Sequence, residues 1–234
     1  MRPTTPGLAT AALLLMTCAT GVVDAVSYLA LDQVFTGNMT GNVLFLGFAA
    51  LGVDGIPFLN NAVALAGFVA GAVLGGRLVP RGVPAVLPLA TLWTLVVGIA
   101  GAVGLCAWWL AVGDLPHGAV LVVTAALAAL MGVQTVVVKP IGNTDVTTVV
   151  VTSALANLAR DSRLAGAPRG AGAAWRDRLL AVVAMGAGAA LGAALVRLGG
   201  GALALAGGLV VLASAVVVLV VVRRRQRAAQ VAPV

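Results

Sequence analysis

Gly21-Val22-Val23-Asp24-Ala25-Val26-Ser27-Tyr28-Leu29-Ala30-Leu31-Asp32-Gln33-Val34-Phe35-Thr36-Gly37-Asn38-Met39-Thr40-Gly41-Asn42 starts within an apolar run and leaves it through a polar break. Upstream the run reaches back to Leu8, and at about 1.5 Å per residue Leu8 to Leu31 is long enough to cross a hydrocarbon core of about 30 Å. Downstream the chain is apolar again between Thr36 and Val53, but its clean apolar portion is only about 11 to 14 residues, too short to cross. A span followed by a polar break and a half-length apolar stretch is the pattern of a re-entrant or discontinuous membrane segment. Such backbone survives at membrane depth only where protein or a water-lined cavity satisfies its amides and carbonyls.

Five more runs have span length: Phe58 to Val79, Val83 to Val112, Ala119 to Val138, Leu179 to Leu198 and Ala202 to Val222. Pro57, Pro80 with Gly82, Asp114 with Pro116, Pro140 with Gly142, and Gly199-Gly200-Gly201 punctuate them. A second short stretch, Thr144 to Ala159, opens with polar residues like the first. Of 234 residues, 61% are hydrophobic and 9% charged, too few polar side chains to cover a soluble surface. The expected fold is all-α, a polytopic membrane protein with about six transmembrane helices plus two short re-entrant or broken helices. One integral membrane domain covers 1–222, in repeat halves 8–112 and 117–222, and a basic tail covers 223–234. No length remains for a separate catalytic or DNA-binding domain.

Placement explains the net charge of +7. Arg223, Arg224, Arg225 and Arg227 follow the last run, and Arg160, Arg163, Arg169, Arg176 and Arg178 share one loop. Lys and Arg are retained on the cytoplasmic side, so these clusters read as topology signals and, without interleaved aromatics, not as a nucleic-acid surface. With both termini cytoplasmic, only Arg197 falls on the wrong side, where a snorkelling arginine near a helix end is tolerated. Anionic lipid is a natural companion of the tail. Cys18, Cys106 and the single His117 have no metal-site spacing, and no cofactor is implied.

Weak repetition is visible. Gly67, Gly71 and Gly75 recur every four residues, as do Ala184, Gly188 and Gly192; Gly21-Val22 precedes the first break as Gly132-Val133 precedes the second. Thr36 and Thr40 match Thr148 and Thr152. Three crossings per unit make the units opposite in orientation, and inverted repeats with broken helices are a transporter plan. The small-residue rows also predict close helix packing, or homo-oligomer contacts through glycine-rich faces.

A carboxylate about 16 residues beyond Leu8 lies about 24 Å along the first helix, where it is costly unless it faces water, a cation or a donor. The candidate solute- or ion-binding residues are therefore Asp24, Tyr28, Thr36, Asn38, Thr40 and Asn42 at the first break. Gln134, Asn143, Asp145, Thr148 and Thr152 are their counterparts at the second. Asn38, Thr40 and Asn42 are also suited to cap the short helix, whose start offers a partial positive pole to an anion.

The chain resembles the YoaK-like family of bacterial multi-pass membrane proteins, defined by a domain of unknown function. The resemblance rests on Gly21, Asp24-Ala25, Tyr28-Leu29, Phe35 and Thr40-Gly41-Asn42, then on Met131-Gly132-Val133-Gln134 with Thr148 and Thr152. Where the family continues threonine, glycine, threonine, this chain has Thr152-Ser153-Ala154. The resemblance implies a bacterial inner-membrane location and supplies no catalytic residues. The expectation is a small-solute or ion permease rather than an enzyme, the alternative being a non-transporting assembly or structural factor.

Overall fold

The computed structural model describes residues 6–141, 151–166 and 172–231. Regular structure among the described residues is helical: α1 (Pro6–Ala30), α2 (Met39–Ala50), α3 (Phe58–Leu78), α4 (Leu89–Val112), α5 (His117–Val137), α6 (Val151–Arg160) and α7 (Gly172–Val231). Five of these, all but α2 and α6, are long and apolar enough to cross a membrane. The last one folds on itself. Gly199 and Gly200 leave the helical region, with Gly200 at φ +80°, a conformation glycine adopts without strain. A Cβ on Gly207 would lie 2.6 Å from Leu195 Cδ1, whereas a straight helix would hold these positions about 18 Å apart. Helix α7 therefore has two antiparallel arms, 172–198 and 201–231, and six apolar arms run between the two ends of the bundle.

Contacts fix their directions. Asp32, just after α1, accepts a hydrogen bond from Asn60 Nδ2 at 2.8 Å and lies 3.6 Å from His117 Nδ1, so α1 ends where α3 and α5 begin. Gly201 sits against Ala30 and Trp109 at this same end. At the opposite end Thr10 of α1 meets Asp177 of α7, and Arg223 donates to the Leu87 carbonyl before α4. One end thus carries Asp32, Asp54, Asp114 and His117. The other carries Arg77, Arg81, Lys139 and the arginine-rich tail, with Arg197 as the exception at the acidic end.

The stretch around α2 does not cross. Asp32 and Gln33 before it and Gly55, Ile56 and Pro57 after it line one cavity of about 420 Å³, so both of its ends lie at the acidic end. Between them Thr36 and Gly37 reach Asp24, within α1, and α2 returns over about 18 Å. Helix α6 buries only Ala154 and Leu158. Asp161 follows it, held by Arg160 and Arg178 at the basic end.

Helix α4 starts at Leu89, not at Val83 as the apolar run suggested, because Pro80, Pro84 and Pro88 keep 79–88 irregular. Cys18 and Cys106 are free thiols, and Cys106 donates to the Ala202 carbonyl at 3.2 Å.

The small-residue rows explain the helix pairing. On α3, Gly67, Gly71 and Gly75 face Ala125, Ala129 and Val133 of α5; a Cβ on Gly71 would fall 2.0 Å from the Ala129 carbonyl oxygen. In the first arm of α7, Gly188 and Gly192 face Cys18 and Val22 of α1, with the same 2.0 Å overlap at Gly188. Gly21 reciprocates against Met185 and Ala189, as Gly132 does against Phe68 and Ala72. Both pairs run parallel, and the contacts of Gly71, Gly75 and Gly132 in one have counterparts at Gly188, Gly192 and Gly21 in the other. Close backbone approach is what small residues provide where lipid leaves no hydrophobic drive between helices.

Candidate functional site

A buried polar cluster surrounds Asp24. Its Oδ1 accepts the backbone N–H groups of Thr36 at 3.2 Å and Gly37 at 2.7 Å. A Cβ on Gly37 would lie 3.2 Å from both carboxylate oxygens and 3.0 Å from Thr20 Cγ2, so glycine permits this approach. Ser27 Oγ donates to the Asp24 carbonyl at 3.1 Å, and Thr36 Oγ1 lies 3.4 Å from Ser27 Oγ. Thr20, Ser27 and Thr36 are fully buried and Asp24 nearly so.

The amides before α2 therefore meet a carboxylate from α1. This corrects the capping expectation: Asn38 makes no side-chain cap bond and Thr40 is exposed. It also fills the positive pole that the sequence offered to an anionic solute. Asn42 holds the break from the other side, accepting the Phe35 N–H at 3.0 Å and donating to the Phe35 carbonyl, which satisfies an otherwise unpaired peptide group. The Phe35 ring stacks on Tyr28 with centroids 5.0 Å apart, and a Cβ on Gly41 would lie 2.9 Å from that ring.

The second half contributes Gln134. It is buried, and its Nε2 donates to Thr20 Oγ1 at 3.1 Å, joining α5 to α1 beside Asp24. Its Oε1 has no hydrogen-bond partner among the described residues. The helix contacts match Gln134 with Val23 and Asp24 with Thr135, whose hydroxyl donates back to the Met131 carbonyl. Asn143, Asp145 and Thr148 lie outside the described residues, and Thr152 is exposed on α6.

Several residues escaped sequence reasoning, Ser27 in the cluster among them. Thr20 resembled an apolar-helix filler, although it lies one helical turn before Asp24. Asn60 and Asn61 are buried at the start of α3; Asn60 donates to Asp32, Asn61 donates to the Pro57 carbonyl at 2.8 Å, and Asn61 Oδ1 is without a partner among the described residues. Two adjacent asparagines just inside an apolar run were the available signal. Asp32 and Gln33 have φ of 57° and 58°, a left-handed pair that reverses the chain toward Asp24.

The cluster comprises a carboxylate, hydroxyls, an amide and backbone donors.

Comparisons with known proteins agree with a membrane assignment. The chain is 31% identical over 151 residues to the UPF0700 transmembrane protein YoaK of Bacillus subtilis (strain 168), covering 64% of this chain and 65% of that protein, just under two thirds of its length. No solved structure matches. The family described as "Protein of unknown function (DUF1275)" matches residues 12–218, nearly the whole helical bundle, and the chain belongs to this family.

Proposed function

We propose that this membrane protein is a small-solute or ion permease built from two inverted halves, with its site at the junction of Asp24, Thr20 and Gln134. The observation that carries this reading is the Gln134 amide, which reaches across from the second half to Thr20 while its Oε1 has no partner among the described residues. An acceptor in a buried site costs about 1–3 kcal/mol unless something donates to it. A transported solute, a hydrated ion or water would supply that group. Two matched parallel helix pairs that run in opposite directions support alternating exposure of such a junction. The charge asymmetry supports a cytoplasmic basic end and a bacterial inner-membrane setting.

Asp24 and Asn42 support the non-transporting reading, because both spend hydrogen bonds on the chain's own break. Gln134→Leu separates the two. Purified wild type and variant, reconstituted in proteoliposomes, are assayed for uptake with a panel of ions, amino acids and organic acids, and their thermal stability is measured in detergent. A permease loses flux while the variant stays folded. Wild-type vesicles no more permeable than protein-free ones across the panel, or unchanged flux in the variant, defeat the proposal.

A further inference from the structure

A second candidate site lies away from the polar junction, at the basic end between α4 and the second arm of α7. Leu89, Leu92, Trp93 and Val96 form one wall of a cavity of about 350 Å³, and Val220, Arg223, Arg224 and Arg227 form the other. Internal bonds shape this wall: Arg223 donates to the Leu87 carbonyl, and Gln226 Oε1 accepts the Leu87 N–H at 2.8 Å. The tail is thus fastened to the entrance of α4, whose first turn has no side-chain cap and leaves its partial positive charge facing the same region.

Trp93 also borders a larger apolar groove of about 790 Å³ between α3, α4 and α5, lined by Leu74, Leu78, Val97, Gly98 and Leu130 among others. A cationic pocket and an apolar groove therefore share one exposed tryptophan, a residue favoured at the membrane interface. Charge complementarity selects an anion, and the adjoining groove, lined almost wholly by apolar side chains and glycines, selects an anion that carries hydrocarbon.

We propose that this composite site binds one anionic phospholipid of the leaflet at the basic end. Arg224 and Arg227 hold its phosphate, and an acyl chain passes Trp93 into the groove between α3 and α4.

The test uses the full chain, purified in mild detergent and exchanged with a mixture of phosphatidylglycerol and phosphatidylcholine, with native mass spectrometry as the readout. Wild type retains one phosphatidylglycerol in preference to phosphatidylcholine, and Arg224→Gln with Arg227→Gln lowers that preference by about tenfold or more. Arg224→Gln alone lowers it by a smaller factor, and Arg225→Gln, which removes the same single charge from outside the cavity lining, stays close to wild type. Brominated-chain phosphatidylglycerol quenches more fluorescence in wild type than in Trp93→Phe. Equal retention of both lipids, an Arg225→Gln loss as large as that of Arg224→Gln, displacement of the lipid by millimolar inorganic phosphate, or quenching independent of Trp93 would each overturn the proposal.

Discussion

The pair α1 with the first arm of α7 and the pair α3 with α5 share one contact grammar but sit in different surroundings. Helix α1 is enclosed along most of its length by both arms of α7, whereas α3 is open to the membrane along much of its surface and leaves a groove against α4. The linkers account for part of this: three glycines fold the arms of α7 together, while the proline-rich segment 79–88 lets α3 and α4 stand apart. Identical close approaches should therefore tolerate change differently. A helix that borders lipid can shift outward, and an enclosed one cannot.

The largest expected effect follows. Gly188→Ala drives a methyl into the Cys18 carbonyl and Gly71→Ala into the Ala129 carbonyl, with equal initial overlap. Overpacking costs about 1–3 kcal/mol and sometimes more, and Gly188→Ala should reach or exceed the top of that range. Gly71→Ala should cost visibly less in the same thermal-unfolding assay, and the reverse order would break the comparison. Next comes Asp24→Leu, which strands the amides of Thr36 and Gly37. A loss of about 2–3 kcal/mol is expected, with Asp24→Asn recovering part of it because an amide oxygen can still accept. If both variants melt like wild type, the break is not held by this carboxylate.

Gly41→Ala should cost about 1 kcal/mol, since the Phe35 ring can yield toward partly exposed Tyr28. Gln134→Leu should lie within about 1 kcal/mol of wild type or gain stability, because an unpartnered acceptor goes with it. The smallest effect concerns Asp161, whose carboxyl Arg160 and Arg178 hold below its ordinary range. Its contribution is present above the unfolded-state carboxylate range and lost as pH falls through the lower folded value. Asp161→Asn should therefore slightly lower stability at neutral pH, change it least at low pH, and so flatten the acid limb of a stability–pH curve.

Much of this was legible in the chain. Apolar run lengths located the spans, and the clean stretch after Thr36 was visibly too short to cross. The glycine spacing identified which helices make equivalent contacts, because close approach requires the absence of a side chain and so leaves a mark in the sequence. Hydrogen-bond partners leave no such mark. Asp24 looked like a group awaiting a ligand because its donors are backbone amides, which every residue has. Thr20 was silent because a threonine in an apolar helix ordinarily bonds back to its own backbone, as it also does here to the Met16 carbonyl at 3.0 Å. The start of α4 was misplaced because hydrophobicity was weighed above Pro84 and Pro88.

The reach of Asp24 toward Thr36 and Gly37 also bears on how the chain is made. Helix α1 is synthesised first, yet its close partner around Gly188 emerges about 170 residues later, roughly 10 to 30 s at common elongation rates. Throughout that interval a carboxylate-bearing helix waits without its final neighbour. Its amide donors arrive only 12 and 13 residues after it, so the charge can be matched almost as soon as it leaves the ribosome. The break after α1 thereby serves as a built-in escort, keeping the first helix compatible with the bilayer until the last hairpin arrives.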